Sequence, residues 1–303
     1  MRVAFKRTLA IVNLVGGYRP AIVKGMKFSH FAACLCGVAA CATLHGSILP
    51  TFHMDPLALQ VFEKYVAQFE KNVAEPYAQS GKMWIDESSC CMRNKGAFAS
   101  GRPVVEPREN EEIVGGSIHH FTAAMHLAGI TIADVRHVMQ DYPNYPKYFK
   151  PDVGKGAGVK NPDSTATDEH FTSQLSLIQT TFWMSVSYDC VYETHYRLLD
   201  PHRWESVSHA ASIKEWQNPK DASQGYLPEG EDHGFLWRTN TFWFVREHND
   251  GVDIELDSMT LSRPVPTGFG WWGTKRTRDA VEKMIKDLKA AVDSNRMPQG
   301  QHS

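Results

Sequence analysis

Hydrophobic and polar positions along this chain follow two periods, and the change from one to the other divides it. On the N-terminal side Leu57, Val61, Tyr65, Phe69 and Val73 recur every four residues, the spacing of one helical face. Asp55 followed by Pro56 offers an N-cap and a proline at the first helical position. A helix over residues 56–77 is therefore predicted. Its polar side carries both charge signs, so packing on the rest of the protein is expected before a membrane surface. Residues 81–112 read as loop with one short strand at Lys82–Asp86, and the charged stretch 106–112 reads as a surface connection.

From Ile113 onward the period is mostly two. Ser117–Leu127 is predicted as a strand stopped by Gly129. Thr131 then caps a helix over Ile132–Met139, with Asp134 in the first turn where the helix dipole favours it. Pro143 and Pro146 break residues 141–150 into a tight aromatic turn holding Tyr142, Tyr145, Tyr148 and Phe149. Strands follow near 152–160, 170–184, 186–199 and 203–215. In Val186–Leu198 the alternation puts Tyr188, Cys190, Tyr192, Thr194 and Tyr196 on one face and Asp189, Glu193, His195 and Arg197 on the other. The first face is expected inward. Residues 217–233, with two prolines and two glycines, form a long loop.

The clearest pattern is a hairpin and a closing helix. Phe235–His248 is long and aromatic, and Val252–Arg263 returns with alternation, Val252, Ile254 and Leu256 on one face and Asp253, Glu255 and Asp257 on the other. A two-residue turn at Asp250-Gly251 would set Val245 opposite Leu256, Trp243 opposite Ser258, and Arg246 against Glu255. The face with Phe235, Trp237, Thr239, Thr241, Trp243 and Val245, uncharged apart from Glu247 at its turn end, is taken as inner. Arg238, Asn240, Arg246, Glu255 and Asp257 share the other. A helix over 274–293 follows, with the apolar stripe Val281, Met284, Ile285, Leu288, Ala291 and Val292.

Strand, short helices, a run of antiparallel strands and a long last helix is a distinctive order. Ile132–Phe149, Phe235–His248, the segment Leu261-Ser262-Arg263-Pro264-Val265-Pro266 and the final stripe together resemble the START-like (SRPBCC, polyketide cyclase/dehydrase) superfamily. The resemblance covers residues 113–293 and implies an α+β helix-grip fold, a curved antiparallel sheet wrapped around the C-terminal helix, here with an extra N-terminal helix. It also implies a cavity between sheet and helix for an apolar molecule. A face mixing Tyr and Trp with Thr suits such a pocket. Its expected lining is Tyr188, Tyr192, Tyr196, Trp237, Thr239, Thr241 and Trp243 from the sheet, with Met284, Ile285 and Leu288 from the helix.

Composition narrows the function classes. The chain has 303 residues, 42% of them hydrophobic, and a net charge of −2, which leaves no basic surplus for nucleic acid. Met26-Lys27 precedes an apolar run, Phe31–Leu44, too short to span a bilayer comfortably but suited to a secretion signal. Residues 1–46 are read as an overcalled start plus this signal, 47–112 as helix and connector, 113–293 as the ligand-binding domain and 294–303 as a disordered tail. Val38-Ala39-Ala40-Cys41 resembles a bacterial lipobox, so Cys41 is a lipidation candidate that would anchor the protein to a membrane; ordinary cleavage after Ala42 or Gly46 is the alternative. Export to the periplasm, as lipoprotein or free, is expected, with secretion as the other outcome. Cys90, Cys91 and Cys190 allow one structural disulfide at most.

No nucleophile-elbow, zinc-protease, phosphate-loop or redox-cysteine motif is present. His119 and His120 are strand neighbours pointing to opposite faces, so they cannot share a metal. His120, His195 and His209 are scattered base candidates without partners in sequence. No catalytic residue, metal or cofactor is assigned. The expectation is a non-catalytic carrier of a hydrophobic small molecule (lipid, isoprenoid or polyketide-like) at the cell envelope. A cyclase, dehydratase or hydrolase using the same cavity is the alternative, as is a structural envelope protein with a filled core. Protein partners are not legible.

Overall fold

The computed structural model describes residues 50–87, 93–181, 184–228, 230–265 and 270–296. The signal, Cys34, Cys36, Cys41, Cys90, Cys91 and the tail beyond 296 lie outside these. A short strand β1 (Phe52–His53) leads into helix α1 (Pro56–Phe69), which continues through a π-helical stretch (Glu70–Ala74) into α2 (Glu75–Ser80). Two small helices follow, α3 (Trp84–Glu87) and α4 (Lys95–Ala99), then strands β2 (Val104–Ile113) and β3 (Gly116–Ala128). Helix α5 (Ile132–Gln140) and the single turn α6 (Tyr145–Tyr148) precede β4 (Val153–Lys160), β5 (Asp168–Thr181), β6 (Met184–Asp200) and β7 (Arg203–Glu215). The short β8 (Glu231–Asp232), the hairpin β9 (Arg238–His248) and β10 (Gly251–Ser262), and helix α7 (Gly270–Ser294) complete the order.

Eight strands form one antiparallel sheet in the order β2-β3-β10-β9-β7-β6-β5-β4, while β1 pairs with β8. Alternation decides what each face meets. Phe121, Met125 and Leu127 of β3, Trp243 and Val245 of β9, and Val252, Ile254 and Leu256 of β10 pack on Val281, Ile285, Leu288, Ala291 and Val292 of α7. A large antiparallel sheet packed on a long C-terminal helix is the predicted α+β helix-grip arrangement, and the α7 stripe is the predicted one, with Met284 at its partly buried edge. Thr131 caps α5 through a capping box with Asp134, which satisfies donors that the first turn leaves open.

The opposite face departs from expectation. It is buried too, under α1, whose Ala58, Phe62, Val66 and Phe69 pack with Ile118, Phe242, Phe244, Met259 and Leu261. The buried stripe of α1 therefore lies one position along from the predicted one, and Leu57 and Val61 are exposed. The N-cap at Asp55 is as predicted, its carboxylate accepting from the Leu57 amide at 2.8 Å. Residues 82–86, predicted as a strand, instead hold the start of α3, where the Asp86 carboxylate accepts from the Met83 amide at 2.9 Å. The charged connection 106–112 is in fact the edge strand β2, with Pro107 and a bulge at Pro107/Glu109 interrupting its pairing. The hairpin turns at Asn249-Asp250, so Ile254 faces Val245, Leu256 faces Trp243, and Arg246 pairs with Asp253 at 3.2 Å rather than with Glu255. That slip is two residues, which preserves every face.

Candidate functional site

The inner face of the sheet has two parts. Toward the turn ends of β6 and β9 it is filled: Tyr196 and Trp243 sit in the same core cluster as Ile285 and Leu288. Further along, the same alternation brings hydroxyls inward across neighbouring strands. Thr194 lies opposite Ser208, Ser208 opposite Thr241, Thr241 opposite Ser258, and Thr239 opposite Thr260. Thr194 and Ser208 share a hydrogen bond of 2.9 Å. Ser208, Thr241, Thr260 and Tyr192 keep partial exposure although β7, β9 and β10 are interior strands. A strand with neighbours on both sides can expose an inner side chain only where the covering helix does not touch it, so this band borders open space.

Aromatic groups close one side of that band. The Tyr142 hydroxyl donates to Tyr196 Oη at 2.9 Å, and Tyr196 in turn donates to the Met139 carbonyl at 2.8 Å. Tyr145 reaches the same carbonyl at 2.6 Å. Burial pushes all three phenols above their ordinary value, so they act as neutral donors. Tyr142 can lie this low because β4 carries Gly158: a Cβ there would stand 2.2 Å from the Tyr142 ring.

Tyr188 and Tyr192 belong to a separate cluster with Val186, Cys190 and Leu236 at the far end of β6. Tyr188 is fully buried, its hydroxyl accepts or donates no hydrogen bond, and burial followed by the Glu215 charge holds it neutral. Glu215 accepts from the His233 amide at 3.0 Å and from its ring, tying the loop before β9 to β7. Cys190 is a buried free thiol, pushed up to about 12 by burial. At the opposite end a cleft of about 270 Å³ opens between α5 and the sheet, lined by Ile132, Ala133, Arg136, Gln140, Leu198 and Trp204. On its rim Glu169 binds Arg136, Lys160 and Gln140; burial alone would raise this carboxyl, but those bonds outweigh it and hold it at about 2.

Of the ten residues predicted to line a cavity, Tyr192, Thr239 and Thr241 border the band and Tyr188 its far end. Tyr196, Trp243, Ile285 and Leu288 lie in packed core with Met284 at its edge. Trp237 is a correction. Strand β9 begins only at Arg238, so the alternation does not extend back to Trp237; its indole packs under α1 and donates to Asp232 at 2.9 Å.

Sequence reading missed a polar constellation beneath α1 and α3. Asp257 and Glu255, predicted to face away from the core, are fully buried. Tyr65 donates to His120 Nδ1 at 2.7 Å, and His120 Nε2 donates to Asp257 at 2.9 Å, which fixes the imidazole tautomer. Thr122 also donates to Asp257, and Arg108 approaches it at 3.4 Å. Burial, then the charge of Asp257, pushes Glu255 up to about 8. The signal available in sequence was the run of charged residues in β10 opposite a strand already rich in Phe. Elsewhere on this face, Asp168, His170 and His195 bring potential metal-ligand atoms within 4.8 Å of one another.

No protein-family model matches the chain, and no curated protein does. Among solved structures it is similar to a STAR-related lipid transfer protein from Xanthomonas axonopodis, at 16% identity over 62% of this chain and 98% of that one, with a TM-score of 0.41. Human STARD10 is similar at 10% identity, covering 68% of this chain and 80% of that one, TM-score 0.41. The Zhui aromatase/cyclase from Streptomyces sp. R1128 is similar at 10% identity, covering 60% and 98%, TM-score 0.33.

Proposed function

We propose that this protein binds and carries a hydrophobic small molecule (a lipid, isoprenoid or polyketide-like compound) between the inner face of its sheet and helix α7. The START-like fold is a hydrophobic-ligand-binding fold. The observation that carries the reading is the partly exposed band of Tyr192, Ser208, Thr241 and Thr260 on interior strands. An apolar wall with sparse hydroxyls holds a largely apolar ligand and orients its few polar atoms. The Tyr142–Tyr196 pair bounds it, and the cleft beside Arg136 is the proposed entrance. Work at the cell envelope, through export and with lipidation of Cys41 as the anchor, rests on the N-terminal pattern of Lys27, Phe31–Leu44 and Val38-Ala39-Ala40-Cys41.

The test is native mass spectrometry of protein purified from its own host, followed by organic extraction of what copurifies. A stoichiometric apolar molecule, lost in Thr241→Trp without loss of fold, is the expected result. A protein that arrives empty and gains no thermal stability from a panel of apolar ligands overturns it. A catalytic reading of the same space rests on Glu215 and His233 beside Tyr188. It predicts chemical change of the bound molecule that Glu215→Gln abolishes, whereas carriage leaves the molecule unchanged.

A further inference from the structure

We propose that Asp168, His170 and His195 form a binding site for a zinc-class divalent cation on the outer face of the sheet, away from the inner space. The site is made by register. His170 on β5 and His195 on β6 are directly opposed, and their ring centroids stand 3.9 Å apart. Asp168, two residues before His170 and so on the same face, places Oδ1 3.2 Å from His170 Nε2 and 3.8 Å from His195 Nδ1. Donors bound at ~2.0–2.1 Å to a tetrahedral ion lie roughly 3.4 Å apart. Two of the three separations are close to that value, and all three ligand atoms lie within 4.8 Å of one another, with a fourth position open to solvent.

Two further observations describe how the ligands are held. Asp163 Oδ2 stands 2.8 Å from His170 Nδ1, 0.4 Å nearer than Asp168 is to the other ring nitrogen. With Nδ1–H donating to Asp163, Nε2 on the far side of the ring is the nitrogen that would bind the ion. A carboxylate that positions a histidine in this way is the usual outer partner of a metal-bound imidazole. Asp168 Oδ1 is buried and accepts no hydrogen bond, although it lies against both rings. A proton on His170 would serve only one of these contacts, whereas a metal ion at this point engages both ring nitrogens and Asp168 at once. The surroundings are acidic on balance: Asp163 and Glu205 lie nearby, and Glu205 is paired with Arg197. Two imidazoles and one carboxylate select zinc-class ions, since Mg²⁺ and Ca²⁺ favour oxygen donors.

The experiment is calorimetric titration of ZnCl₂ into full-length protein that carries no histidine tag and has been stripped with a chelator. Wild type is expected to take up one equivalent and to melt at a higher temperature in zinc. His195→Asn, which alters a half-exposed ring, is expected to weaken binding at least tenfold and to melt as wild type does in chelator. Asp163→Asn, a positioning change, is expected to weaken it by about 10–100-fold. Substitution of the exposed His137 by Asn leaves binding unchanged. A Co²⁺ titration of wild type alone gives a visible d–d spectrum typical of nitrogen and oxygen ligands. Absence of stoichiometric zinc uptake, or equal affinity in the double variant His170→Asn/His195→Asn, overturns the site.

Discussion

At the scale of single residues, Tyr65, His120 and Asp257 form a buried polar chain between helix and sheet. Tyr65 stands on α1, His120 on β3 and Asp257 on β10, so three elements meet in two hydrogen bonds of 2.7 and 2.9 Å. Phe69 packs edge-on against the same imidazole, with centroids 5.1 Å apart, and keeps water away. Tyr65→Phe keeps the ring and removes only the donor, leaving Nδ1 of a buried histidine unmatched. Such an orphan costs about 1–3 kcal/mol, so the variant should unfold at a lower urea concentration with an unchanged slope. An unchanged midpoint would show that water takes the place of the phenol. None of this was legible in sequence. His120 looked like one half of a dipeptide pointing two ways, which it is, but its partners lie 55 and 137 residues away. The same holds for His170 and His195, whose meeting depends on strand register and not on spacing along the chain.

The elements themselves were far more legible, and the misses share one physical cause. Periodicity reports that a helix or strand has an apolar side, but it reports only weakly which positions are deepest. In α1 the every-fourth-residue series Leu57, Val61, Tyr65, Phe69 competes with Ala58, Phe62, Val66, Phe69. The second series is the buried one, because the sheet beneath it offers Phe242, Phe244 and Met259. The difference is measurable. Phe62 is 2% exposed, and Phe62→Ala should cost ~3–5 kcal/mol. Val61→Ala, on the exposed side, should stay within about 0.5 kcal/mol. Comparable losses from both would return α1 to the predicted orientation. For the sheet, the mixed character of β9, with Phe242 and Phe244 among charged residues, was the trace of a second buried face. A two-layer expectation sent Glu255 and Asp257 to solvent, and a third layer covers them, α1 over Asp257 and α3 over Glu255.

At the scale of the whole molecule, that third layer makes stability depend on pH in a particular direction. Burial pushes Glu255 up to about 8 from an ordinary 4.5, with the neighbouring Asp257 charge acting the same way and Arg108 opposing it. Glu205 and Asp232 are also raised by burial. Each group therefore holds its proton to a higher pH in the folded chain than in the unfolded one. Between the two values the native state binds more protons, so stability falls as pH rises. For Glu255 the fall starts near 4.5 and is complete above about 8. Glu169 works the other way. Its folded value of about 2 makes its ion pairs stabilising above 4.5, a contribution lost as pH drops toward 2. Together these groups put the stability maximum at mildly acidic pH, at roughly 5, and not at neutrality. Urea midpoints measured from pH 4 to 9 should decline across the upper half of that range. Glu255→Gln, which keeps the shape and an acceptor for the Ile85 amide, should flatten the decline while leaving the acid limb intact. A decline of equal slope in that variant would assign the effect to other groups and leave Glu255 ionised beneath α3, where Arg108 would have to neutralise both carboxylates alone.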